Sequence, residues 1–235
     1  MMPGVSVAVR RSPHRVLLSL VVVLGGLLLP GLAPAEPGPP WESLPWDERI
    51  GAPWFESQAR AGDAEAQYRL GEIYESGLGE AEIDEAMAIT WYDKAAEQGH
   101  VQAAFRLGRL LERQPGQADA AVAAYRQASR AGLPEATYNL ARLHRDGVGV
   151  ERSLRRAATL YRQAYAEGLT RATLDLAQLA LVGVERDEVV ALAWALRAEE
   201  EGVPGAAAFA ERLKILLQPE ARETAVRLSG DLPRP

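Results

Sequence analysis

The chain has 235 residues, no cysteine and a formal net charge of −6 at pH 7. The lack of cysteine excludes disulfides, thiolate metal sites and a lipid-modified N-terminal cysteine. Without residues 1–35, which hold three arginines and no acid, the charge is −9. This balance gives no electrostatic reason to bind DNA, RNA or anionic lipid, so we expect no nucleic-acid partner.

The N-terminus has the three parts of a secretory signal peptide. Three arginines come first, Val16–Leu29 is uncharged and apolar, and Ala33–Ala35 is a small-x-small cleavage site. The apolar stretch is shorter than the roughly 20 residues that span a bilayer. We predict a signal peptide over residues 1–35, cleaved after Ala35, and a periplasmic or secreted protein. The alternative is an uncleaved anchor, which would be the chain's membrane contact.

A proline-rich linker is predicted over residues 36–53, and repeats follow it. Glycines recur at intervals of 37, 33, 36 and 34 residues, which is typical of two-helix repeats. These repeat glycines are Gly62, Gly99, Gly132, Gly168 and Gly202.

Fixed residue types follow each repeat glycine and predict a helix A. Alanine stands at +4, leucine at +8 in four copies, glycine or alanine at +9, and isoleucine or leucine at +11. Positions +4, +8 and +11 share one helix face, which we expect to pack on a neighbour. The small +9 residue should let the second helix approach closely. We expect Leu140→Ala, in the middle of the array, to cost ~2–5 kcal/mol.

A second helix, B, is predicted before each repeat glycine. Alanine recurs at −11 and −4, and tyrosine fills −7 in three copies: Tyr92, Tyr125 and Tyr161. Each copy is therefore helix A, a turn and helix B, ended by a glycine suited to a left-handed helix stop. Pro134 and Pro204 are predicted to begin the helices that follow.

The array needs covers at both ends, because one hairpin cannot bury its apolar stripe alone. Pro53–Gly62 matches helix B by itself and predicts a starting half-repeat. The chain after Gly202 lacks the +8 leucine and predicts a closing cap whose last short helix opens at Pro219. The second copy replaces its glycine turn with "RQPGQAD", so a tighter turn without loss of stacking is expected. The repeats occupy residues 54–230, and 231–235 form a tail.

The patterns "AxYxLGxxYxxGxG" and "AxxWYxKAAxxG" resemble the two halves of the Sel-one-like repeat, a relative of tetratricopeptide repeats. Ala66–Gly79 with Ala88–Gly99, and Ala136–Gly149 with Ala157–Gly168, carry the resemblance. It implies an all-α fold, a right-handed α-solenoid of about four repeats plus capping helices, with a concave face lined mainly by A helices. Members generally serve as adaptors and scaffolds, and exported bacterial ones act in envelope assembly, secretion, motility or signalling. Cysteine-rich exported members have been linked to β-lactam binding, but the disulfide of each repeat is absent here.

No catalytic motif stands out, so we predict a non-enzyme with no metal and no cofactor. His100 and His144 lack a second ligand at helical spacing and are interpreted as satisfied structural histidines. The alternative is a cell-wall-directed hydrolase or β-lactam-binding enzyme, which needs a nucleophile or metal that the motifs do not show.

The remaining candidate is a partner-binding groove at positions +3, +6, +10 and +13 of the A helices. Its predicted residues are Glu65, Tyr68, Glu72, Phe105, Arg109, Tyr138, Arg142, Arg145 and Arg171. Tyrosine and arginine are common interface anchors. Two interpretations stay open: the groove binds a partner protein segment of opposite charge pattern, or the aromatics pack between A helices and the charges are merely solvated. We expect a monomeric adaptor. A third possibility, an envelope polysaccharide-export scaffold, would differ from this adaptor only in its partner.

Overall fold

The structure, a computed structural model, describes residues 51–78, 81–183 and 186–235. The predicted signal peptide and residues 36–50 of the predicted linker lie outside these residues. All regular secondary structure in the described residues is α-helical. The helices are α1 Gly51–Arg60, α2 Ala64–Ser76, α3 Glu85–Glu97, α4 Val101–Arg113, α5 Ala118–Arg130, α6 Pro134–Asp146, α7 Leu154–Ala166, α8 Ala172–Val182, α9 Glu188–Glu200, α10 Ala206–Leu216 and α11 Pro219–Asp231.

These helices form stacked hairpins. Each A helix (α2, α4, α6, α8) packs on the B helix that follows it (α3, α5, α7, α9), and each B helix packs on the next A helix. Helix α1 packs on α2, as the predicted half-repeat requires. The predicted all-α, right-handed solenoid of four repeats with extra helices at both ends is confirmed.

The predicted inward positions are buried. The alanines at +4 and at both helix B positions are at most 2% exposed, and the leucines at +8 are at most 6% exposed. One register explains burial in every copy. The main core runs between the two helix layers of the stacked hairpins. A second, smaller cluster joins α1 to the first hairpin and contains Ala66, Leu70 and Ile73.

The small residue at +9 has a specific neighbour, the tyrosine at −7 of the same hairpin. A Cβ placed on Gly71 would come within 2.6 Å of the Tyr92 ring, and one on Gly108 within 2.8 Å of Tyr125. Both rings are at most 1% exposed, so they cannot turn out to solvent. The predicted close approach is therefore confirmed, and the ring is the part that approaches.

The repeat glycines end the B helices in the left-handed region, with φ between 70° and 102°, as predicted. Pro134 begins α6. The prediction that Pro204 begins a helix is wrong, because Gly205 intervenes at φ 84° and α10 begins at Ala206. Four residues separate α4 from α5, whereas eight separate α2 from α3, so the predicted shorter connection in the second hairpin is confirmed.

The C-terminal end differs from the prediction of a short last helix. Helix α11 has 13 residues, like most of the repeat helices, and it packs on α9. Arg197 of α9 is 1% exposed and donates to the backbone oxygens of Ser229 and Leu232. A cation among the last carbonyls of a helix is favourable. Arg197 occupies position −5 before its repeat glycine. The residue at this position is polar and exposed in the earlier repeats, whereas α11 covers it in the last one.

Candidate interaction surface

The predicted groove residues lie on one surface, which we call the A-helix face: positions +3, +6, +7, +10 and +13 of α2, α4, α6 and α8. Side chains of this face bridge each successive pair of these four helices, at three junctions. At each junction an acid on one helix pairs with an arginine on its neighbour, and a tyrosine hydroxyl donates to the acid.

The first junction joins α2 to α4. Arg106 lies 3.3 Å from carboxylate oxygens of both Glu72 and Glu75. Tyr68 donates to Glu72, and Tyr92 of α3 donates to Glu75, each at 2.7 Å. Burial and the acceptor carboxylate raise the pKa of Tyr68 to about 12. Arg106, at +7, was not among the predicted site residues.

His100 completes this junction as the N-cap of α4. Its Nδ1 accepts from the backbone N–H of Ala103 at 3.1 Å, so Nε2 carries the proton and donates to Glu65 at 2.9 Å. The imidazole stacks on Tyr68 with ring centroids 4.5 Å apart. The prediction of a satisfied structural histidine is confirmed for His100.

The second junction joins α4 to α6. Arg142 is ion-paired with Glu112, and Tyr125 donates to the other Glu112 oxygen at 3.0 Å. Arg142 is therefore held within the array. Phe105, on the same helix as Glu112, packs against the core with its ring centroid 6.0 Å from that of Tyr125.

The third junction joins α6 to α8. Asp175 accepts from Arg145 at 3.0 Å and from Tyr138 at 2.8 Å. Burial raises the pKa of Asp175, although these hydrogen bonds and charges oppose the rise. The guanidinium of Arg171 lies 4.1 Å from the centroid of the Tyr138 ring, a cation–π arrangement. Asp175, also at +7, was missed by the sequence analysis.

The structure thus combines the two interpretations of the face. Tyr68 is buried and Phe105 and Tyr138 are half-buried, as the packing interpretation expects. The charges are not merely solvated, because most of them pair across helices. Arg109 is exposed and makes no ion pair or hydrogen bond within the described part of the chain. Whether the face binds a partner stays a prediction.

Two clefts lie on the B-helix side of the array. One lies between α5 and α7 above α6, and another lies between α7 and α9 above α8.

His144 lies in the first of these clefts and differs from its prediction. The imidazole makes a hydrogen bond with the backbone of Glu151, but its Nδ1 is buried without a hydrogen-bond partner among the described residues. The prediction of a satisfied side chain is therefore confirmed for one ring nitrogen only. Among those residues, no group of three or more His, Asp or Glu is arranged to hold a metal ion. No described helix has the length and hydropathy needed to span a bilayer.

A family model for the Sel1 repeat matches residues 64–100, 134–169 and 170–203. The chain therefore contains three Sel1 repeats. The three matched Sel1 repeats are the hairpins α2–α3, α6–α7 and α8–α9. The second hairpin is unmatched. It has a shorter turn, and α4 and α5 pack on each other and on their neighbours like the matched hairpins.

Solved Sel1-repeat structures support the same fold. One is c5321, described as a protective antigen of uropathogenic Escherichia coli strains with an SLR fold, with 29% identity and a TM-score of 0.67. The similarity covers 77% of this chain and 40% of c5321, so this chain spans less than half of that protein. A Sel1 repeat protein from Oxalobacter formigenes has 24% identity and a TM-score of 0.60 over 77% of this chain and 81% of its own. No curated protein matches the sequence.

Sel1-repeat proteins are generally protein–protein interaction scaffolds and are typically non-catalytic. The alternative of a cell-wall hydrolase or β-lactam-binding enzyme finds no support in these similarities.

Proposed function

We propose that this protein is an exported, non-catalytic adaptor that binds a segment of a partner protein on its A-helix face. The observation that carries the proposal is the exposed guanidinium of Arg109, which pairs with no described residue, on a surface whose other charges are mostly paired. An arginine that the array does not use is free to pair with an acidic side chain of a partner.

The surroundings of Arg109 favour an interface. Phe105 is half-buried one helical turn before it and offers an aromatic edge, and Arg171 is exposed on the cation–π stack with Tyr138. Arginine and aromatic side chains are enriched among the interface residues that contribute most of the binding energy. The partner segment is therefore expected to carry an acid opposite Arg109 and apolar groups beside it.

The junctions give this face a fixed shape before binding. Each ion pair has a tyrosine hydroxyl on the same carboxylate, which restricts the carboxylate and the arginine. A surface that is ordered in the free protein loses less conformational entropy on association.

Export rests on the N-terminal sequence. The basic, apolar and small-x-small segments of residues 1–35 support a periplasmic or secreted adaptor whose mature chain begins at Glu36. N-terminal sequencing of protein from a periplasmic or culture fraction tests this. A chain that keeps residues 1–35 in the cell membrane would contradict cleavage.

The binding surface is tested by crosslinking in intact cells. A photo-crosslinking amino acid at position 109 should capture one partner, whereas the same group at Arg212, an exposed arginine on α10, should not. Arg109→Glu should then abolish recovery of that partner, and Arg212→Glu should leave recovery unchanged. Equal recovery with Arg109→Glu would exclude the A-helix face.

A further inference from the structure

The cleft between α5 and α7 is the second notable surface of the molecule. It has a volume of about 490 Å³, lies above α6, and has no acidic residue in its lining. Arg126 and Arg130 come from α5, His144 from α6 and Arg156 from α7. Leu140 and Leu160 add apolar surface to the same lining.

The three cleft arginines are not neutralised. The guanidinium groups of Arg126, Arg130 and Arg156 form no ion pair or hydrogen bond with any described residue. In contrast, Arg106, Arg142 and Arg145 on the A-helix face are all ion-paired. Uncompensated like charges around one cleft repel each other, and a bound anion would remove that cost.

His144 adds an unused polar atom to the same place. Its Nδ1 is buried and lacks a partner within the described ranges, and buried polar atoms normally have one. Burial lowers the pKa of His144; a hydrogen bond with the backbone of Glu151 opposes this, and the charges of Arg156 and Arg126 lower the pKa further.

The histidine is peculiar to the third repeat, since position +12 is Tyr74, Leu111 and Ala180 in the other copies. The cleft above α8 also has two arginines, Arg155 and Arg162, but Asp187 is in its lining and Ala180 stands in place of the histidine. Stacking of hairpins therefore does not need a histidine beneath arginines.

We infer that this cleft binds a phosphate monoester through Arg126, Arg130 and Arg156, with the imidazole of His144 beneath them. Three guanidinium groups supply more charge than one carboxylate neutralises, and the arginine fork matches phosphate oxygens. The neighbouring carboxylate of Glu167 already accepts from Thr137 at 3.1 Å and Gln163 at 2.8 Å, so it is engaged elsewhere. The volume and the two leucines leave room for an organic group on the ester.

Isothermal titration calorimetry on the purified mature chain tests the inference with phenyl phosphate, inorganic phosphate and benzoate as probes. Phenyl phosphate should bind most tightly and inorganic phosphate more weakly. Each of Arg126→Gln and Arg156→Gln should weaken binding about tenfold. The control Arg212→Gln, on α10, should leave the affinity unchanged. No heat of binding for either phosphate, or benzoate binding as tightly as phenyl phosphate, would overturn the inference.

An NMR titration of the histidine ring signals gives a second readout that a folding defect does not mimic. Bound phosphate should raise the pKa of His144 and leave the ring signals of His100 unchanged, since His100 lies at the α2–α4 junction. Equal changes at both histidines would contradict a site in the cleft. Because the cleft lies on the B-helix side, failure here leaves the proposed partner surface at Arg109 untouched, and the reverse also holds.

Discussion

The ring of Tyr92 fills the space beside Gly71 so closely that a Cβ at position 71 would lie 2.6 Å from it. Alanine usually improves a helix by about 0.5–1 kcal/mol over glycine. Here the fully buried ring cannot move aside, so the cost of overpacking exceeds the gain in helix propensity. We expect Gly71→Ala to lower the free energy of unfolding by about 1–3 kcal/mol, measured by urea denaturation.

Gly230 provides the matched control for this prediction. It is also helical, in α11, but a Cβ there would have no atom within 4 Å. Gly230→Ala should therefore leave stability unchanged or raise it by up to about 1 kcal/mol. If both variants are stabilised, the contact between Gly71 and Tyr92 does not limit the packing of the hairpin.

Leu140 tests whether the middle of the array holds the ends together. The side chain is 4% exposed and belongs to the main core, so Leu140→Ala should cost about 2–5 kcal/mol and lower the melting temperature. Leu216 on α10 is 69% exposed, and Leu216→Ala should cost less than about 0.5 kcal/mol. Equal melting temperatures for the two variants would show that the assigned register is wrong.

The repeat register could be predicted from sequence because its cause is local. A glycine that needs positive φ, and small and large residues at helical spacing, appear in the chain in the order in which they pack. The register predicted burial of Ala88, Ala121, Ala157 and Ala191, and each is 0% exposed. The prediction from Pro204 was wrong because Gly205 follows it in a turn and the helix begins two residues later, at Ala206. Periodicity does not show which of two neighbouring turn residues precedes the helix.

The partners of the face residues could not be predicted in the same way. Arg106 and Asp175 stand at +7, which a tetratricopeptide-like groove pattern omits, yet both link successive A helices. Such pairs depend on the rotation and rise between hairpins, which one repeat does not specify. Arg197 is similar, because its burial depends on where α11 lies.

The ion pair between Glu112 and Arg142 should couple α4 to α6. The side chains are 22% and 31% exposed, so water screens them only in part. In a double-mutant cycle with Glu112→Gln and Arg142→Met, we expect a coupling of about 1 kcal/mol that weakens in high salt.

A double variant in which the two charges are exchanged tests the same ion pair more directly. Glu112→Arg combined with Arg142→Glu should recover more stability than either single reversal, since each single change places like charges together. Additive effects of the two reversals would contradict a direct interaction. Arg142→Glu alone should destabilise the fold, so Arg109 is the better position for testing partner binding.

The buried tyrosines should make the protein lose stability at high pH. Burial, together with an acceptor carboxylate, raises the pKa of Tyr68, Tyr138 and Tyr165 to about 12 each. In the unfolded chain tyrosine titrates near pH ~10. Because the unfolded state releases these protons first, the stabilisation is complete below pH ~10 and is lost as the pH rises through about 12.

Arginine stays charged in this range and the chain has only Lys94 and Lys214, so few other groups contribute. The urea midpoint should therefore fall as the pH rises above ~10, and tyrosinate absorbance should appear later in the native protein than in the urea-unfolded chain. Coincident titration of the two states would show that these hydroxyls are not held by Glu72, Asp175 and Glu201.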